Sequence, residues 1–202
     1  MTRPTWPLPP HQSLMEELAN YDYNSLDERT KRHEFIWSEF GPPVDMLVTG
    51  GIPAMFALHE LMSSYIYGNF LACVLVAQVF AEHSLGSKFL AQGGESVVNQ
   101  GFGKMIEVAG KREMISENIT ERLHDLRNMR NPYVHPRIGL HEKGYMWRLV
   151  QHNVDPEQLA QTDAEEAIRI IVDYLRAETK AAGHPWEPPV VLPPSEEEQP
   201  KQ

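Results

Sequence analysis

Near the middle of the chain, the run Leu126–Arg137 (LRNMRNPYVHPR) gathers an arginine, an amide and a histidine within six positions: Arg130, Asn131 and His135. The guanidinium is a permanent cation that grips phosphate oxygens through two parallel donors. The imidazole exchanges a proton near neutral pH. An amide can orient either group or bond a sugar hydroxyl. At 100° per residue, Ile119, Leu123, Leu126 and Met129 share one apolar face, and Arg130 falls at its centre, with Arg127 and Asn131 to one side. A guanidinium placed there must pair with an acid, line a cleft or meet a partner subunit.

Pro132 restricts Asn131 and is expected to end the helix there. The break lets the His135 imidazole fold back towards the last turn. Such a set suffices for metal-free cleavage of RNA, in which the neighbouring 2′-hydroxyl attacks the phosphate and leaves a 2′,3′-cyclic end. Competing roles stay open for each residue. Arg130 can serve as a buried ion pair with Glu82, His135 as a loop cap on backbone carbonyls, and Asn131 as an ordinary helix-terminal amide. Tyr133 reads as a packing residue beside the motif. His124 and Asp125 read as surface, and Arg127 and Arg137 as a widening of a phosphate patch.

LRNMRNPYVHPR resembles the signature of the HEPN domains: an arginine, a polar residue, then a histidine four to six positions after the arginine. Arg130, Asn131 and His135 fit it, and the resemblance covers roughly residues 54–182. It implies a small all-α bundle that dimerises with both motifs facing one cleft. It also implies a metal-independent endoribonuclease of toxin–antitoxin, defence or RNA-processing type, with Arg130, Asn131 and His135 catalytic and Glu82, Arg127 and Tyr133 in support. An RNA substrate and an antitoxin or regulatory protein are the implied partners. No metal or other cofactor is implied. Other members of the family scaffold without cleaving, and Pro132 and Pro136 around His135 can either stiffen it or hold it away from Arg130.

The elements that must position these groups read as helices. Ser25–Phe40 opens on a capping serine and closes at Gly41-Pro42-Pro43. Asp45–Pro53 is a short apolar loop or strand. Helices follow at 54–68, 69–91, 96–109, 116–131 and 162–182, and 145–150 is a possible hairpin. The second of these segments, Asn69–Ala91, is apolar nearly all round, as a central or interface helix is. Gln78 and Glu82 interrupt its stripe one turn apart, and a carboxylate so placed needs a partner. The expectation is an all-α, up-and-down bundle over residues 51–182. Residues 1–50 form a Pro-rich N-terminal extension with one helix, and residues 183–202 a disordered Pro- and Glu-rich tail after a stop at Gly183. Four prolines in residues 1–10 and six in 185–200 make both ends poor helix formers.

Composition sets limits. The 202 residues carry 18 basic and 28 acidic side chains, a net charge of −10. Such a chain is a poor general binder of nucleic acid or anionic membrane. From Lys111 to Arg137, however, six bases meet four acids, a local excess of cations. The longest apolar run, Phe70–Ala81, is 12 residues, short of a span, and the N-terminus has no signal-peptide stretch. A cytoplasmic protein that does not enter membranes follows. The single cysteine, Cys73, reads as a buried thiol. His59-Glu60 lacks the second histidine of a zinc-protease helix, GGESVVNQGFGK lacks the order of a phosphate-binding loop, and no nucleophile elbow occurs.

Overall fold

The computed structural model describes residues 11–41, 48–135, 140–142 and 144–183; the Pro-rich ends and Arg137 lie outside this set. Eight helices and no strand are found among the described residues: α1 His11–Phe40, α2 Gly51–Ile66, α3 Phe70–Leu90, α4 Glu95–Val98, α5 Phe102–Lys111, α6 Glu117–Val134, α7 Tyr145–His152 and α8 Pro156–Ala181. The chain is an all-α helical bundle.

Its centre is α3, which packs on α2, α8, α6, α5 and α4. Phe80, Leu85 and Phe89 are fully enclosed there with Cys73, Val74 and Ala77. By length and composition α3 is apolar enough to cross a membrane, yet more than half of it is buried inside the bundle. Burial pushes the Cys73 thiol well above its ordinary value. The α8 stripe Ala167, Ile168, Ile171, Tyr174 and Leu175 closes the core from the other side. A polar thread runs through it: Thr49 Oγ1 lies 2.5 Å from Ser84 Oγ, which lies 3.2 Å from the Tyr174 hydroxyl.

Several boundaries differ from expectation. α1 starts at His11, and Ser25 sits inside it with its hydroxyl on the Asp22 carbonyl at 3.2 Å. Its last turns join the core through Ile36 and Phe40, while the stretch from Gln12 to Asn24 stands exposed. The segment left open at Asp45–Pro53 contributes Gly51–Pro53 to α2; residues 42–47 lie outside the described set. The expected helix at 96–109 is two, because Gly101 at φ 85° turns the chain between α4 and α5. The possible hairpin at 145–150 is instead the helix α7. α8 begins six residues earlier than expected, where Asp155 accepts the Gln158 N–H at 2.9 Å and Pro156 takes the first helical position. Gly183, at φ 82°, follows its end.

Candidate functional site: a polar groove between α3, α5 and α6

Ser116 caps α6 by accepting the Ile119 N–H at 3.3 Å, and Ile119, Leu123 and Leu126 anchor the helix in the core. This fixes the rotation of every residue that follows. Pro132 does not end α6; the helix runs on to Val134, and the His135 N–H donates to the Asn131 carbonyl at 3.0 Å. A proline so near the terminus removes one helical bond and leaves a single turn beyond it. That turn is held from outside. The Tyr133 hydroxyl donates to Asp163 Oδ2 at 2.7 Å, so Tyr133 is more than a packing residue. The chain leaves the helix at His135, whose backbone is extended (φ −115°, ψ 106°).

The bend brings the imidazole back as the spacing suggests: Arg130 Nη1 lies 3.5 Å from His135 Nε2. Arg130 and Asn131 are half-buried and His135 is exposed. All three line one open groove of about 640 Å³, with Gln78 and Glu82 from α3, Lys104 and Glu107 from α5, and His124 and Arg127 from α6. Glu82 faces the groove but makes no ion pair with Arg130. It accepts instead from Gln78 Nε2 at 3.5 Å. The buried Arg130–Glu82 pair considered from the sequence is therefore not formed here; the two charges share a cavity. Among the described residues Arg127 makes no ion pair either. Hydrogen bonds from Lys111 (2.6 Å) and Lys104 (3.0 Å) hold the Glu107 carboxyl down at about 2, so both lysines are engaged. The arginines remain as the cations open to a ligand.

Behind the motif, Asp163 is 3% exposed and takes both Arg148 Nη1 and Nη2 at 2.6 Å, besides the Tyr133 hydroxyl. The Tyr145 ring packs at a tilt of 49° against Tyr133 with ring centres 5.0 Å apart, and its hydroxyl donates to the Pro156 carbonyl at 2.6 Å. Desolvation and the Asp163 carboxylate push the Tyr133 phenol far above its ordinary value. This cluster ties α6, α7 and α8 together at the end that carries His135.

Sequence patterning left part of this unread. His124, taken as surface, lines the groove, and its spacing to Arg127 and Asn131 (three, then four) is the signal that places all three on one helix face. Asp163, near the start of the helix expected over 162–182, leads the buried stripe Ala167, Ile170 and Tyr174. Among the described residues no group of three or more His, Cys, Asp or Glu side chains could hold a metal ion. Compared with known proteins, the chain matches no protein family, no curated protein and no solved structure.

Proposed function

We propose that the chain is a metal-independent endoribonuclease of the HEPN type. The observation that carries this is the meeting of the Arg130 guanidinium and the His135 imidazole, 3.5 Å apart, at one open polar groove. Arg130 holds the scissile phosphate and stabilises charge as it builds on the oxygens. The 2′-oxygen bonds to phosphorus, the bond to the 5′-oxygen breaks, and a 2′,3′-cyclic phosphate remains. His135 takes the proton from the 2′-hydroxyl or supplies one to the leaving oxygen, with water serving the other step. Asn131 orients the phosphate or the sugar. Glu82 lines the same groove, unpaired with Arg130, and its charge there bears on how Arg130 is positioned. The chain acts as a cytoplasmic homodimer, and an antitoxin or other regulatory protein holds it in check, as in defence systems.

A second proposal comes from the chain's charge and surface. A chain at −10 with Glu82 and Glu107 in the groove is a poor general host for a polyanion. Leu18, Tyr21, Met55 and Phe56 are large, apolar and more than half exposed. These favour a non-catalytic interaction module built on the same helices. The test is incubation of the purified full chain with structured and unstructured RNAs in excess chelator, beside Arg130→Ala and His135→Ala. Cleavage by the parent alone supports the nuclease; intact RNA in every lane supports the module.

A further inference from the structure

We propose that the first half of α1 is a docking arm for a basic amphipathic helix of another protein. The arm shares no residue with the Arg130–His135 groove, so the proposal stands whether or not RNA is cut.

α1 is 30 residues long, and every residue from Gln12 to Asn24 is exposed; Ser25 is the first that the bundle partly covers. About 20 Å of helix therefore overhangs the bundle. At 100° per residue, Leu14, Leu18, Tyr21, Ser25, Arg32 and Ile36 fall in one sector about 60° wide. The C-terminal part of this sector is covered. Ile36 is buried, and Arg32 lies over the Phe70 ring with its Nε donating to the Ile66 carbonyl at 2.9 Å. The N-terminal part bears nothing: Leu14 is 37% exposed, and Leu18 and Tyr21 are 65% exposed each. The face on which the bundle packs thus continues past the bundle, apolar and unpartnered among the described residues. Where the arm meets the bundle, Phe70, Leu71, Leu75 and Ala160 line an open, mainly apolar groove of about 520 Å³. A free helix of the arm's length is marginal in water, and an occupant on the stripe supplies the packing it lacks.

Charge selects the occupant. From His11 to Glu28 there are five acidic side chains and no lysine or arginine, so these 18 residues hold −5 of the chain's −10. Glu17 and Asp22 fall on either side of the stripe. A second copy brings the same −5 to a pairing of arm with arm. The next cations along α1 are already engaged: Arg29 with Asp22, Lys31 with Asp27 and Glu28, and Arg32 with the Ile66 carbonyl. The chain's own residues 184–202 hold four acids and one lysine, so they too bring like charge. Nucleic acid and anionic lipid are disfavoured for the same reason. The surface that fits carries apolar side chains at helical spacing with Lys or Arg beside them. Two such helices bury a shared seam and pair the charges along its edges.

The test uses the full-length chain and three labelled peptides of about 20 residues. One has leucine and lysine in heptad order, one has glutamate in place of lysine, and one has the leucine–lysine composition scrambled so that no stripe forms. Fluorescence anisotropy reads the affinities. The heptad peptide binds about ten-fold tighter than the scrambled one, and the glutamate peptide does not bind. High salt weakens the heptad complex about ten-fold. Binding also slows amide hydrogen exchange over residues 12–24. Leu18→Ser and Tyr21→Ser, both at exposed positions outside the core, each weaken binding about ten-fold. Tyr23→Ser, on the opposite face and at an 80% exposed position, leaves it unchanged. Absence of binding by the heptad peptide overturns the proposal outright. Equal binding of the heptad and scrambled peptides, or an equal loss in Tyr23→Ser, overturns the stripe, and binding of the glutamate peptide overturns the role of charge. A dimer that Leu18→Ser dissociates, with no peptide bound, gives the face to a second copy. Binding only after removal of residues 184–202 gives it to the chain's own tail. Either result overturns the proposal.

Discussion

The Tyr133 hydroxyl donates to Asp163 Oδ2 at 2.7 Å, and through that bond α8 sets the last turn of α6. Tyr133 stands two residues before His135 and three after Arg130, so the tie bears directly on the distance between them. Tyr133→Phe removes one bond to a carboxylate and costs about 1.5 kcal/mol in urea unfolding. Asp163→Asn costs more, about 3 kcal/mol, because Arg148 is then left largely buried without its charge partner. Both variants lower kcat on RNA by more than they raise KM. A Tyr133→Phe chain with unchanged stability and unchanged kcat would show that the turn holds itself.

Gly50 bears a different constraint. Its φ is 106°, and a Cβ there would sit 2.7 Å from Ala54 Cβ and 2.9 Å from the Ser84 Cα of α3. Gly50→Ala adds strain and overpacking together, about 2–4 kcal/mol. Thermal unfolding checks it, with Gly93→Ala for comparison, since a Cβ at Gly93 meets nothing within 4 Å. Gly93 also has positive φ, so that variant reports backbone strain alone; equal losses would remove the steric part of the account.

Alkali exposes a third property. Burial raises the phenols of Tyr65, Tyr133 and Tyr174, and a carboxylate near each adds to it: Glu165, Asp163 and Glu178. A phenol whose folded value lies above its unfolded one contributes in full below about 10, the unfolded value. That contribution is lost as pH rises through the interval above it. The urea midpoint therefore falls from pH 9 to pH 11, and Tyr65→Phe reduces the fall. Tyrosinate absorbance rises for these three only as the chain unfolds. A midpoint that holds steady over this range would contradict the assignment.

How far the sequence alone reached depends on the kind of signal. α3 was legible as a central helix because it is apolar nearly all round, and α6 because Ile119, Leu123 and Leu126 recur on one face and are the residues it buries. The Arg130–His135 proximity was legible as well, although the bend falls at His135 and not at Asn131: the tie from Asp163, distant in sequence, keeps Pro132 inside the helix. Pairing across elements was not legible. Arg148 meets Asp163, Arg122 meets Glu166 and Asp173, and Lys88 meets Glu178, none of which any local pattern declares. Glu82 was expected to seek a cation and takes the amide of Gln78, its neighbour one turn away.

The central claim is that Arg130 and His135 act together on one phosphodiester. Its most direct test is the chemistry of the ends left on RNA treated with the full chain in excess chelator. The account predicts new 3′ ends carrying 2′,3′-cyclic phosphate from the parent, and a loss of at least 100-fold in Arg130→Ala and in His135→Ala. RNA left intact by the parent, or cleaved equally by all three proteins, would contradict it.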